Sequence, residues 1–77
     1  MTAQQFLDSL TAAYSVLEIR NRSGVVLWTR SYWRADGHVW ALSAVPNVLN
    51  YSKPAVLDDP LADIEETMAW IERIKEQ

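Results

Sequence analysis

The stretch Val25–Val45, VVLWTRSYWRADGHVWALSAV, decides the fold of this 77-residue chain. Asp36-Gly37 is a strong two-residue hairpin signal, because the favoured turn needs positive φ at both positions and glycine adopts it freely. The β-branched and aromatic residues on either side predict two antiparallel strands, the second stopped by Pro46. A two-residue loop sets Trp33 opposite Trp40, Ser31 opposite Leu42 and Thr29 opposite Ala44. Upstream, Leu17 and Ile19 alternate with Glu18 and Arg20, the period of a third strand. The turn Asn21-Arg22-Ser23-Gly24 joins it to the second. With Arg22-Ser23-Gly24 as a three-residue loop and Gly24 left-handed, Ile19 falls opposite Leu27.

This register sorts the side chains into two faces, and a slip of one residue would exchange them. Leu17, Ile19, Leu27, Trp33, Trp40 and Leu42 share the face expected to form the core. Glu18, Arg20, Val26, Trp28, Arg30, Tyr32, Arg34, Val39, Ala41 and Ser43 share the other. Two arginines in a small core would be expensive, which argues for placing that second face toward water.

Helices flank the strands. Thr2 and Gln5 have capping-box spacing, and Phe6, Leu7, Leu10, Ala13 and Tyr14 give an apolar stripe, so a first helix is expected from Thr2 to near Tyr14. Asp59-Pro60 starts the last helix, with Leu61, Ile64, Met68, Ile71 and Ile74 as its buried stripe and Trp70 at the stripe's edge. Between Pro46 and Leu57 the signals are turns; Val48 and Leu49 can cover an end of the core, and a short fourth strand can form around Ala55–Leu57. The expected architecture is α+β: a two-layer α-β-β-β-α domain, a three-stranded antiparallel meander with both helices on one face, spanning residues 1–77 as a single domain.

Composition narrows the function. The chain has no cysteine, one histidine, two glycines and a net charge of −3. Disulfides and thiolate metal sites are excluded. No signal-peptide pattern and no apolar run of bilayer length is present, so a soluble, cytoplasmic protein is expected. The charge is polarised. Arg20, Arg22, Arg30 and Arg34 outnumber Glu18 and Asp36 within residues 15–45, whereas seven acids face Arg73 and Lys75 within residues 54–77.

No catalytic constellation emerges. His38 lacks a placed nucleophile. Asp58, Asp59 and Asp63 lack calcium-loop spacing, and no phosphate loop or dinucleotide fingerprint occurs. No catalytic residue, metal or cofactor is therefore assigned. The constellation that stands out is the row Trp28, Arg30, Tyr32 and Arg34, with Arg20 on the same face. Trp, Tyr and Arg are the residue types that most often carry binding energy at protein interfaces. The same types stack on bases, but the negative net charge and scarce lysines disfavour phosphate binding. The expected partner is another protein or a second copy of the chain, with no membrane. The alternative surface is the acidic last helix, with Asp63, Glu65, Glu66 and Glu72.

In size, acidity and simplicity the chain resembles the small proteins with which phages and other mobile elements block bacterial defences, anti-CRISPR proteins among them. The resemblance implies a non-enzymatic inhibitor. It would dock the Trp28 face on a subunit of a larger complex, or place the acidic helix in a nucleic-acid channel as a charge mimic.

Overall fold

In the computed structural model, which describes residues 1–46 and 52–77, two helices lie on one face of an antiparallel sheet. The elements are α1 (Ala3–Asp8), β1 (Ser15–Arg20), β2 (Val26–Ala35), β3 (His38–Ala44), β4 (Ala55–Val56) and α2 (Pro60–Lys75). The α+β class and the three-stranded meander agree with expectation. The two-residue β4 adds a fourth strand at the β3 edge, giving the order β1-β2-β3-β4. Residues 47–51, including Val48 and Leu49, lie outside the described residues.

The local chemistry of the sequence works as read at most junctions. Thr2 and Gln5 close a reciprocal capping box, Thr2 Oγ1 accepting from Gln5 N at 3.1 Å and Gln5 Oε1 from Thr2 N at 2.8 Å. Asp59 caps α2 by accepting from Ala62 N, with Pro60 in the first helical turn. Asp36 and Gly37 turn the β2–β3 hairpin with φ of 54° and 76°. Arg22-Ser23-Gly24 is a three-residue loop closed by Asn21 N donating to Val25 O at 3.0 Å, and Gly24 has φ 83°.

Two expectations fail, for identifiable reasons. The first helix stops at Asp8 rather than near Tyr14. Ser9 caps it, its hydroxyl donating to Phe6 O, and the Arg34 guanidinium takes the carbonyls of Leu7 and Leu10 at 2.7 and 3.1 Å. The helix's orphan acceptors are thus satisfied from β2, and the chain turns away.

The second correction concerns the faces. The β2–β3 register is as expected, with Trp33 opposite Trp40. In β1–β2, however, Arg20 pairs with Val26 and Ile19 with Trp28, so Leu27 is an extra, bulged residue. A bulge places two residues against one and reverses side-chain parity beyond it. Leu17 and Ile19 therefore share a face with Trp28, Arg30, Tyr32, Val39 and Ala41, and that is the face the helices cover. Tyr32, Ile19 and Ile64 are fully buried there, with Phe6, Leu10, Val39 and Ala41 completing the core. Leu27, Trp33, Trp40 and Leu42, expected in the core, lie on the uncovered face.

The bulge sets an order of mutational cost. Ile19→Ala should destabilise the domain by about 2–4 kcal/mol as a cavity in the core, whereas Leu27→Ala should cost less than about 1 kcal/mol. Urea unfolding of both variants checks this, and the reverse order would mean that β1 is in the unbulged register.

Candidate functional site

The residues singled out by sequence form two constellations on opposite sides of the sheet. On the helix side, β2 presents Trp28, Arg30, Tyr32 and Arg34 in alternation to α2 and α1. Arg30 meets Asp63 of α2 as a two-point fork, Nε to Oδ1 at 2.9 Å and Nη2 to Oδ2 at 2.8 Å. Its Nη1 donates to Ser43 Oγ on β3. The Tyr32 hydroxyl donates to Asp63 Oδ1 at 2.6 Å and lies 2.8 Å from Thr67 Oγ1, which bonds back to the Asp63 carbonyl one helical turn away. The guanidinium also lies 5.6 Å from the Tyr32 ring centroid. Phe6 of α1 meets the same ring edge-on at 5.6 Å.

This network explains how arginine enters a covered face. A guanidinium there is tolerated when its charge is matched by a carboxylate in bidentate geometry and its remaining donors find acceptors. Burial pushes the Asp63 carboxyl up, but the hydrogen bonds from Arg30 and Tyr32 and the Arg30 charge outweigh it and hold it below the usual range. The hydrogen bond to Asp63 raises Arg30 against the opposing effect of burial. Burial, with the hydrogen bond to Asp63, pushes the Tyr32 hydroxyl up to about 12.

The expected binding row is thus dispersed. Tyr32 is 0% exposed, and Arg30 is tied to Asp63. Arg34 caps α1. Trp28 packs edge-to-face on Trp70 of α2 at 5.7 Å. Arg20 stands apart near the β1–β2 turn, bonded to Glu18 and the Gly24 carbonyl. On the acidic helix, Asp63 faces inward, whereas Glu65, Glu66 and Glu72 are exposed. Beside the network is a cleft of about 180 Å³, walled by Trp28 and Trp70, with Arg30, Asp63, Ser43 and Thr67 inside and Glu66 at its edge.

On the uncovered side, aromatic and aliphatic residues run across the sheet. Tyr14, just before β1, leans on Trp33 with ring centroids 4.7 Å apart. Trp33 stacks on its cross-strand partner Trp40 at 6.4 Å and 13°. The Trp40 indole is fixed by donating from Nε1 to Ala35 O at 3.1 Å. Val56 of β4 continues the row beside Trp40. Val16, Leu27 and Leu42 extend the apolar area along the strands. Tyr14 is 63% exposed, Val16 51% and Val56 41%. Glu18 and Arg20 of the edge strand β1 pair with one another at 3.0 Å.

Reading the sequence placed Trp33 and Trp40 in the core and missed both the uncovered aromatic row and the Asp63–Thr67 pair. A signal for the latter exists: two polar residues one turn apart, beside the apolar stripe of α2. His38 is exposed at the start of β3, and no group of three potential metal ligands occurs among the described residues. No helix among the described residues is long and apolar enough to cross a membrane. No protein-family model, curated protein or solved structure matches the chain.

The network fixes a pH signature. A carboxylate held low lends stability that is present above about pH 4 and lost as the pH falls through its folded value. A tyrosine held high lends stability that is whole below about pH 10 and lost as the pH rises toward its folded value. The stability advantage of the wild type over Asp63→Asn should shrink in acid, and its advantage over Tyr32→Phe should shrink in alkali. Urea midpoints against pH report both; an advantage independent of pH would show that neither ionisation is coupled to folding.

Proposed function

We propose that the chain is a non-enzymatic protein-interaction domain whose docking surface is the uncovered face of its sheet. The observation that carries this reading is the aromatic row Tyr14, Trp33 and Trp40, continued by Val56, which no other described part of the chain covers. A soluble domain rarely leaves a contiguous apolar area exposed unless something binds there. Large aromatics clustered at the centre of a patch, with charge kept to its rim, match the anatomy of an interface core. The indole of Trp40 is already fixed by its hydrogen bond to Ala35 O, so less side-chain freedom is lost on docking.

The partner supported by this chemistry is a protein with a complementary apolar surface. Phosphate recognition is poorly served, because the guanidiniums of Arg30 and Arg34 are engaged on the other side of the sheet. In this reading the domain acts by occupying a surface on a larger assembly. That is the mode of the small acidic phage inhibitors, anti-CRISPR proteins included, which it resembles in size, acidity and simplicity. The exposed Glu65 and Glu72 on α2 are then solvated residues of the back surface.

The test is a comparative pull-down from nuclease-treated bacterial lysate. A protein retained by wild type, by Trp28→Ala and by Glu65→Lys/Glu72→Lys, but lost from Trp33→Ala/Trp40→Ser, is the expected result. A single hot-spot tryptophan should contribute at least about 2 kcal/mol to such binding. Loss on charge reversal with retention by the tryptophan variant would move the binding surface to the acidic helix.

A further inference from the structure

The cleft on the helix side offers a second surface of different chemistry. Its walls are the indoles of Trp28 on β2 and Trp70 on α2, set edge-to-face at 5.7 Å. Trp70 is 39% exposed, so this wall is reachable from solvent. Inside lies the Arg30–Asp63 pair, whose two charges cancel at 2.8 Å. Arg30 also donates a hydrogen bond to Ser43 Oγ at 2.6 Å, so each of its three guanidinium nitrogens already has a neighbouring acceptor. At the edge stands Glu66, exposed and without an ion-pair partner among the described residues. Residues 47–51, which follow β3, carry no charged side chain that could neutralise it. The cleft therefore holds one net negative charge beside two electron-rich rings.

We infer that this cleft binds an organic cation of alkylammonium size. Indole faces attract cations through their quadrupole, and an adjacent carboxylate adds a charge of the right sign. An anion finds no uncommitted positive group there. The volume of about 180 Å³ admits a small quaternary ammonium or the head of a methylated lysine. The neutral pair Arg30–Asp63 gives the cleft a fixed polar floor without repelling the ligand. The site lies across the sheet from the Trp33–Trp40 row, so it stands or falls independently of the docking surface proposed above.

The probe is tetramethylammonium chloride, titrated into the ¹⁵N-labelled full chain at constant ionic strength, with sodium chloride as control. The indole N–H signals of Trp28 and Trp70 should shift saturably with millimolar affinity, while those of Trp33 and Trp40 stay in place. Trp70→Ala and Glu66→Gln should each weaken binding by about three- to fivefold. Both residues are exposed, and the unchanged signals of Trp33 and Trp40 report that each variant remains folded. The uncharged tert-butanol should bind markedly less well. Equal binding of tert-butanol, shifts shared by all four indoles, indifference to Glu66→Gln, or no shift at all would each overturn the assignment.

Discussion

The fork between Arg30 and Asp63 is the constraint on which the arrangement of the domain depends. It joins the middle of β2 to the first turns of α2, and Tyr32 and Thr67 complete it, so that four polar groups are satisfied within one turn of helix. A charge pair removed from water gains little over apolar packing, yet breaking one is costly because it strands the remaining charge. In a domain of this size the pair's main effect is to select among alternatives. It holds α2 on the Tyr32 side of the sheet and at one position along it, because a slide of the helix would break the two-point fork to Arg30 and the Tyr32–Thr67 contact together. Arg34 does the same for α1 by taking the carbonyls at its end.

Covering one face leaves the other uncovered. With both helices committed to the Tyr32 side, no described residue covers the Trp33–Trp40 side, where Tyr14, Val16 and Val56 are exposed. The two tryptophans shield one another by stacking, and Tyr14 shields an edge of Trp33, but the row remains accessible. The polarity of charge along the sequence resolves in the same way. The basic middle and the acidic end meet inside the molecule through Arg30 and Asp63, Glu66 stands at the edge of the cleft beside them, and Glu65 and Glu72 are exposed on α2. The protein therefore presents an apolar side and an acidic side, with an aromatic cleft at the sheet–helix seam.

Much of this was legible residue by residue. The caps at Thr2 and Asp59, the Asp36-Gly37 turn, the three-residue loop ending at Gly24 and the β2–β3 register follow from local chemistry, and local chemistry is what sequence displays. The assignment of faces was not legible, for two physical reasons. β2 carries large aromatics on both sides, Trp28 and Tyr32 against Trp33, so alternation alone does not say which side is buried. The bulge at Leu27 then reverses parity without any glycine or proline to mark it. The cost of burying arginine pointed the wrong way because the compensating carboxylate is 33 residues distant in the chain. The early end of α1 is similar: the helical period of Leu10, Ala13 and Tyr14 runs on, and what stops the helix is a side chain from β2. The candidate binding residues shifted accordingly, from Arg30 and Tyr32, which hold the fold, to Trp33 and Trp40, which do not.

The side of the sheet that the helices cover can be read directly from proton–proton contacts. Phe6 and Tyr32 lie with ring centroids 5.6 Å apart, so a nuclear Overhauser spectrum of the intact chain should connect the Tyr32 ring protons to those of Phe6. The ring of Trp33 should connect to those of Trp40 and Tyr14, and neither tryptophan to any residue of either helix. Contacts from Trp33 to Phe6 or Ile64, with none from Tyr32, would contradict the account, because they would place the helices on the opposite face and the arginine row in water.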